Sequence, residues 1–252
     1  MKYIADTALG YLRIRWSPSE GVKLELDTNY RTAHLPLLYP DHPDVVVDSA
    51  DGIYRSGRYV QTRFSLVLPV SVADLEANPA FRKVDEAMRS SGFADKIAWD
   101  VMEQRRSLMH ATISGGLFEA DLPDIAASLE EYIAKHGSPA YRVGGPIIGQ
   151  KNTGRIYFPV FPEDRNGENS FHALQGAIGK PRTDIFLVGY YSLFDHLNVQ
   201  QTAELAKLLE QFAASTLLES IGREVWLLAT NDDLVLSGTV RSRVGSPLHT
   251  VS

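Results

Sequence analysis

The order of strand-type and helix-type patterns constrains the fold of this chain more than any single motif does. Alternating or continuous apolar runs predict strands at 59–69, 96–99, 108–116, 140–143, 155–160, 184–194, 224–229 and 234–240. Apolar residues at helical spacing predict one or two helices within 72–92 and further helices at 121–136, 170–178 and 202–218. Because strands and helices do not alternate strictly, the order favours an α+β fold with largely antiparallel pairing.

Residues 1–55 differ from the rest of the chain. They contain four prolines, at positions 18, 36, 40 and 43, and only short apolar pieces. We therefore expect an N-terminal extension over 1–55 that packs on a main domain of residues 56–242, followed by a C-terminal tail at 243–252. Residues 44–48 fit either an edge strand or a loop.

Composition excludes several kinds of site. The chain has no cysteine, which excludes disulfides, thiolate catalysis and cysteine-bound zinc and suits a reducing cytoplasm. A net charge of −6 argues against an extended nucleic-acid surface, but a local basic pocket can still hold a nucleotide or an RNA end. With neither a signal peptide nor an apolar run of about 20 residues, we expect a cytoplasmic protein without membrane contact. The oligomeric state is left open.

His110 and Thr112 form the pair that most strongly indicates chemistry. They stand two residues apart in a predicted strand, and side chains at positions i and i+2 of a strand leave the same face. A histidine can transfer protons near neutral pH, and a neighbouring hydroxyl can hold an anionic oxygen. The pair is therefore half of a candidate phosphoester site, or else a polar pair on the solvent-facing side of a sheet.

Residues 110–133 and 190–213 share a pattern when they are superposed with an offset of 80. Each segment contains a strand, a loop and an amphipathic helix, and Leu129 falls on Leu209. A two-fold repeat would place two equivalent strands side by side, facing one cleft between two lobes. The alternative is that helices with similar apolar stripes align by chance.

An H-x-T-x motif, His110-Ala111-Thr112-Ile113, precedes Gly115-Gly116-Leu117, a helix and the strand 155–160. In these features the chain resembles the 2H phosphoesterase superfamily, which includes the 2′-5′ RNA ligase-like proteins and cyclic nucleotide phosphodiesterases. Within that superfamily it resembles a bacterial branch. The resemblance covers roughly residues 57–242. It implies a bilobal fold of two pseudo-symmetric antiparallel-sheet lobes, with helices outside and a central cleft.

The resemblance also implies a function. A protein of this family is a metal-independent phosphoesterase without a cofactor, and it acts on a 2′,3′-cyclic phosphate or a 2′-5′ phosphodiester of a nucleotide or RNA end. One histidine acts as the base, a second protonates the leaving oxygen, and hydroxyl groups hold the phosphate oxygens. The alternative is a degenerate, non-catalytic member that binds a nucleotide or phosphorylated metabolite. In addition, no His/Asp/Glu cluster has metal-ligand spacing, so no metal is expected.

The second motif departs from the family pattern, and two registers compete for it. In one, Tyr190 replaces the histidine and Ser192 supplies the hydroxyl, 80 residues after His110. In the other, His196 and Asn198 form the motif, 86 residues after His110. The first register fits the apolar strand better. A tyrosine with a pKa near 10 is a weak base at pH 7, so a complete acid–base pair would still need His196.

Three basic residues are candidates for substrate binding. Arg63 lies on the first predicted strand, and Lys151 and Arg155 flank the Gly-rich loop 144–154. The alternatives are a solvated arginine on the strand and a mobile hairpin without a ligand. The remaining histidines are expected at the surface: His34, His42, His136, His172 and His249.

Overall fold

The computed structural model describes residues 1–18 and 21–245. The α-helices in these ranges are α1 (Tyr11–Ile14), α2 (Thr28–Ala33), α3 (Leu35–Leu38), α4 (Val72–Ala77), α5 (Pro79–Arg89), α6 (Trp99–Gln104), α7 (Leu122–His136), α8 (Ser170–Ala177) and α9 (Val199–Phe212). The strands are β1 (Tyr54–Arg55), β2 (Arg58–Pro69), β3 (His110–Leu117), β4 (Ala140–Gly144), β5 (Ile147–Ile148), β6 (Arg155–Pro162), β7 (Asp164–Arg165), β8 (Glu168–Asn169), β9 (Leu187–Ser192), β10 (Thr216–Ile221), β11 (Glu224–Asp232) and β12 (Thr239–Gly245). None of these helices combines the length and the apolar character that a membrane crossing requires.

One antiparallel sheet dominates the fold and curls into a half-barrel. Its strands lie in the order β10-β4-β6-β9-β3-β2-β11-β12, with β1 added to β2 and β5 added to β6. Strands β7 and β8 form a separate hairpin. Every strand pair in the described ranges is antiparallel, so the predicted α+β class with antiparallel pairing is confirmed.

Strands β3 and β9 lie side by side at the centre of the sheet. Ala111 of β3 pairs with Val188 of β9, and Thr112 pairs with Val67 of β2 on the other side. A helix follows each central strand, α7 after β3 and α9 after β9. The chain therefore passes twice through the order of central strand and then helix.

The helix that follows β9 starts earlier than the sequence pattern predicts. Asn198 rather than Thr202 is its cap, because the side chain of Asn198 accepts from the main-chain N–H of Gln201 and Gln201 bonds back in a capping box. Thr202 instead accepts a hydrogen bond from the main-chain nitrogen of Leu24, at 2.8 Å. The helix also ends earlier, and β10 begins within the residues predicted as its last turn.

Two of the predicted strands are wrong in place or type. The segment 96–99 is not a regular strand, because Ile97 forms only a single β-bridge, with Leu193, before α6 begins at Trp99. The final strand is predicted at 234–240, whereas β12 covers Thr239–Gly245. It therefore starts later than predicted and ends inside the predicted tail. The rest of that tail, 246–252, lies outside the described residues.

The N-terminal extension is part of the core. Tyr11 and Tyr30 are both fully buried. The hydroxyl of Tyr11 donates to the carbonyl oxygen of Val160 on β6, and that of Tyr30 donates to the carbonyl oxygen of Leu193 at 2.7 Å. Residues 44–48 form a loop rather than an edge strand. Through these contacts the extension lies directly against the strands that carry the site.

Candidate functional site

A cavity of about 240 Å³ opens where β3, β9 and β6 lie next to one another. The N-terminal extension, the segment before β3 and the loop after β11 also contribute to its walls. Its polar lining residues are His34, Arg105, His110, Thr112, Asn152, Arg155, Tyr157 and Asp233. The fold thus brings together three residues that the sequence singles out, His110, Thr112 and Arg155, with others that it does not.

His110 and Thr112 both line the cavity from β3. The Nδ1 atom of His110 lies 2.6 Å from the carbonyl oxygen of Leu108. Because a carbonyl oxygen only accepts hydrogen bonds, Nδ1 carries the proton and Nε2 of the neutral ring keeps a lone pair. His110 can therefore act as an acceptor or a base, with the exposed hydroxyl of Thr112 beside it as a donor.

Two arginine side chains are buried beside the cavity, Arg105 with 2% and Arg155 with 4% of its surface exposed. Both donate to the carbonyl oxygen of Gly189, at 2.7 Å from Arg105 Nη1 and 3.2 Å from Arg155 Nη2. Arg155 Nη1 also donates to the carbonyl oxygen of Asp233, at 3.0 Å. The Nε atom of each arginine is buried without a partner.

Neither arginine has a carboxylate oxygen within 4.0 Å in the described ranges. Asp233 lines the cavity, but its carboxylate accepts hydrogen bonds from the hydroxyls of Tyr54 and Tyr59. Asp232 is fully buried and accepts from groups four and five residues further along the chain. The charges of Asp232 and Asp233 act on Arg105 and Arg155 from a distance, but neither carboxylate contacts a guanidinium group, so an anionic ligand could pair with the arginines directly.

Gly189 lets Arg155 approach the sheet. A Cβ atom at position 189 would lie 2.2 Å from Nε and 2.3 Å from Nη2 of Arg155, which is far closer than van der Waals contact allows. Strand β6 therefore supplies the guanidinium group and β9 supplies the space that it needs.

The N-terminal extension supplies a second histidine to the cavity. His34 lies between α2 and α3, has 1% of its surface exposed and stacks on Tyr30 with the ring centroids 4.7 Å apart. Its Nδ1 atom has no hydrogen-bond partner. The prediction that His34 lies at the surface is wrong, because the two short helices on either side of it pack into the core. The apolar run 35–38 directly after His34 is the signal in the sequence for this burial.

Asp27 joins this part of the extension to the loop before β6. One of its carboxylate oxygens caps α2 by accepting from the main-chain nitrogen of Tyr30, and the other accepts from that of Asn152, each at 2.7 Å. The bonds connect the helix that leads to His34 with the loop that leads to Arg155. The two parts of the cavity wall are therefore held in one arrangement.

Both cavity histidines are neutral at pH 7. Burial, and then the positive charges of the neighbouring arginines, lower the pKa of His110 to about 4 and that of His34 to about 3. Burial and the charge of Arg155 also lower the pKa of Arg105. A bound anion would offset the arginine charges and act in the opposite direction on these groups.

Neither register considered for the second motif places its aromatic or imidazole ring at the cavity. Between Gly189 and Ser192, strand β9 has one residue more than the facing part of β6, which makes a β-bulge. Tyr190 packs in the core against Phe158, with the ring centroids 5.0 Å apart. Ser192 is buried, and its hydroxyl has no partner. Gly189, rather than Tyr190, faces the cavity on this strand.

His196 belongs to a different cluster, beyond the end of β9. Its Nε2 lies 2.6 Å from Asp44 Oδ2, and its Nδ1 accepts from the main-chain nitrogen of Leu26 at 2.9 Å. His42 joins the cluster and is buried, so its predicted surface position is wrong. Ligand atoms of His42, Asp44 and His196 lie within 4.8 Å of one another, and no other such group occurs in residues 1–18 and 21–245.

The hydrogen bonds of this cluster do not suit a metal ion. The Nδ1 atoms of His42 and His196 both accept from main-chain N–H groups, of Asp44 and Leu26. A metal on Nε2 of such a ring would require the imidazolate form, whereas metal-bound histidines normally donate from the other nitrogen. The cluster is better described as two histidines whose Nε2 atoms donate to the carboxylates of Asp44 and Asp195.

Arg63 and Lys151 lie outside the cavity. Arg63 is exposed on β2, with its guanidinium carbon 4.3 Å from the centre of the Tyr59 ring. Lys151 is exposed and lines a separate groove. His136 is exposed as expected, whereas His249 lies outside the described residues.

Arg105 is a site residue that the sequence does not reveal. It follows the short helix α6 in an ordinary polar stretch, Glu103-Gln104-Arg105-Arg106, and no local pattern distinguishes it from Arg106. Only the fold separates the two: Arg105 is buried beside Gly189, whereas Arg106 forms an ion pair with Glu76.

Comparison with known proteins leaves the family open. No protein-family model matches the chain, and no curated protein is detectably similar to it. Its chemistry therefore has to be inferred from the residues of the cavity.

Proposed function

We propose that the chain is a metal-independent phosphoesterase whose cavity holds the phosphate of a small phosphodiester. One observation carries the proposal: Arg105 and Arg155, buried and without a carboxylate partner among the described residues, share a cavity with His110 and Thr112. The substrate class is a 2′,3′-cyclic phosphate or a 2′-5′ phosphodiester of a nucleotide or RNA end. A volume of about 240 Å³ is small for a whole ligand, so the cavity holds the phosphate and sugar and leaves the base outside.

Each residue has a role in this proposal. The two guanidinium groups bind the non-bridging phosphate oxygens, and their charge stabilises the negative charge that develops in the transition state. The hydroxyl of Thr112 donates to the same oxygens. Nε2 of His110, which is neutral at pH 7, takes the proton of the attacking water. The arginines thereby supply the positive charge that a metal ion supplies in other phosphoesterases.

The bilobal architecture is part of the same proposal. Four strands of the main path lie on each side of the boundary between β3 and β9, and each central strand is followed by a helix. This order supports two pseudo-symmetric lobes with the cavity at their junction. On β9, however, Leu187 and Gly189 line the cavity, so the second lobe lacks the histidine and hydroxyl of the family motif.

The missing second motif favours another candidate function. In it the same cavity binds a nucleotide or a phosphorylated metabolite without catalysis. The arginines and Thr112 retain their binding roles, and no proton donor is needed on β9.

Turnover in the presence of EDTA tests the catalytic candidate. The substrates are 2′,3′-cyclic CMP, a 2′-5′-linked dinucleotide and ADP-ribose 1″,2″-cyclic phosphate, and the wild-type protein should hydrolyse at least one of them. H110N removes the general base and should lower kcat by about 10²–10⁴-fold. R63M, which changes an exposed arginine outside the cavity, is the control and should keep wild-type activity.

Calorimetry separates the two candidates. If the wild-type protein binds 2′,3′-cyclic CMP or inorganic phosphate without turnover, and R155M loses that binding, the non-catalytic candidate holds. If the wild-type protein neither binds nor hydrolyses any of these compounds, the cavity is not a phosphate site and both candidates are wrong.

A further inference from the structure

We propose that His34 donates the proton to the leaving oxygen, in place of a second histidine on β9. The inference rests on the proposed function and extends it, because it makes the N-terminal extension part of the catalytic site. The two residues that the sequence offers for this role lie elsewhere, Tyr190 in the core and His196 in the cluster with His42 and Asp44.

His34 is placed to act on a ligand in the cavity. Apart from His110, it is the one histidine in the described ranges that lines the cavity. The ring of Tyr30 stacks on it with 8° between the ring planes, and Tyr30 is itself fixed by its bond to the carbonyl oxygen of Leu193. A ring held in this way keeps its nitrogens in a constant position, as general acid catalysis requires.

A purely structural role explains His34 poorly. His42, the buried histidine of the other cluster, uses both ring nitrogens, with Asp44 and Asp195 as partners. His34 is buried more deeply, yet its Nδ1 has no partner. Phenylalanine would stack on Tyr30 without leaving a polar atom unsatisfied. The imidazole therefore fits a partner that arrives with the ligand.

The proposed step balances in atoms and charge. Water attacks the phosphorus atom while Nε2 of His110 takes a proton from it. The bond from phosphorus to the leaving oxygen breaks with its electron pair on that oxygen, which takes a proton from His34. The products are a phosphomonoester and an alcohol, with His110 protonated and His34 neutral. Loss of one proton from His110 to solvent and gain of one by His34 restore the site.

The substrate itself allows His34 to hold that proton. Without a ligand, burial and then the charges of Arg155 and Arg105 disfavour the protonated ring, and the nearby charge of Asp233 opposes them. A phosphodiester anion between the arginines offsets their charge and favours the imidazolium form. His34 is therefore an acid in the complex rather than in the free protein.

The dependence on the leaving group tests this role. Methyl p-nitrophenyl phosphate needs little proton donation because p-nitrophenolate is a stable anion, whereas phenolate from methyl phenyl phosphate is as basic as a tyrosinate, with a pKa of about 10. For H34Q, kcat on the phenyl ester and on 2′,3′-cyclic CMP should fall by about 100-fold or more. On the p-nitrophenyl ester it should fall by less than about 10-fold, with KM nearly unchanged. H136Q, at an exposed histidine, is the matched control.

Several outcomes would overturn the proposal. An equal loss of kcat on all substrates, or a rise in KM alone, would assign His34 a structural role. H34F keeps the stacking on Tyr30 and provides the same comparison if H34Q does not fold. If the wild-type protein cleaves only the cyclic nucleotide, an unchanged kcat in H34Q rejects the role. If it cleaves no substrate, the proposed function itself fails, which is a separate result.

Discussion

At the scale of single residues, His34 couples stability to pH. An unfolded chain binds a proton at this position near pH 6.5, whereas the folded protein does so only near pH 3. Between these values the unfolded state holds one more proton, so the free energy of unfolding falls as the pH falls. The slope is ~1.4 kcal/mol per pH unit for this one group, and above about pH 6.5 it vanishes because the ring is neutral in both states.

H34F should remove this part of the pH dependence. Phenylalanine keeps the stacking on Tyr30 but binds no proton, so the variant should lose less stability than the wild-type protein as the pH falls from 7 to 5. At pH 7 it should be at least as stable, because the unsatisfied Nδ1 is gone. Urea unfolding at pH 7, 6 and 5 measures the difference, and the contribution of His110 cancels because both proteins contain it.

H136Q again provides the control, and it should follow the wild-type curve because His136 is exposed. If H34F and the wild-type protein lost stability in parallel, His34 would not be neutral and buried in the folded state, and its place in the cavity would need revision.

At the scale of elements, β9 determines whether Arg155 can reach the cavity. G189A places a methyl group 2.2 Å from the Nε atom of Arg155, so the guanidinium group must move away from the carbonyl oxygen that it binds. Affinity for inorganic phosphate should fall by about tenfold or more, the loss expected when one charged hydrogen-bonding partner is displaced. Isothermal titration calorimetry measures this change.

G115A is the matched control for that substitution. Gly115 lies on the neighbouring strand β3, and an added Cβ would meet only the hydroxyl of Ser65, at 3.8 Å. Phosphate affinity should stay within about twofold of wild type, because no atom of either arginine lies within 4 Å of the added Cβ. If G189A also bound phosphate normally, Arg155 would not be a ligand of the anion.

The sequence predicts those elements whose patterns are local. The period of two in β3 places His110 and Thr112 on one face, and the apolar stripe of α7 marks that helix, since both signals depend only on neighbouring residues. The register of β9 is different because it arises from pairing with distant strands: Ala111 pairs with Val188 and Tyr157 pairs with Gly189. An offset counted along the sequence does not contain this register, so it assigns Tyr190 to a position at the cavity that Gly189 occupies in the fold.

Half of the candidate site depends on contacts between distant parts of the chain. Arg105 reaches a carbonyl oxygen 84 residues away, and His34 joins a cavity centred on strands that begin 76 residues later, at His110. Such contacts leave no periodic pattern of apolar residues in the sequence. The proline-rich composition of the first 55 residues also favours a peripheral extension, although that segment contributes a wall of the cavity.

At the scale of the whole molecule, the extension and the main sheet form one folding unit. Tyr11, Leu24, Leu26, Tyr30 and Leu35 are all buried in the main apolar core. Each such side chain contributes roughly 1.5–3 kcal/mol on burial, so the five together are comparable to the whole ~5–15 kcal/mol stability of a typical domain. A chain reduced to residues 56–252 should therefore fail to unfold cooperatively in urea, as followed by circular dichroism.

Removal of Met1 and Lys2 alone is the control for this truncation. Both residues are exposed, and Lys2 contributes a surface ion pair with Asp164 and one main-chain hydrogen bond from the same residue, which together add little to stability. The short deletion should keep the wild-type midpoint. A truncated chain 56–252 with the same midpoint and cooperativity would mean that the extension is an independent appendage.

The two buried arginines are held by main-chain oxygen atoms, those of Gly189 and Asp233. A carbonyl oxygen is present whichever side chain its residue carries, so these bonds do not require a particular partner side chain. The positive charge of the cavity is consequently encoded at very few positions: the arginines themselves and the glycine that makes room for one of them. The surrounding residues can therefore be substituted during evolution without loss of that charge.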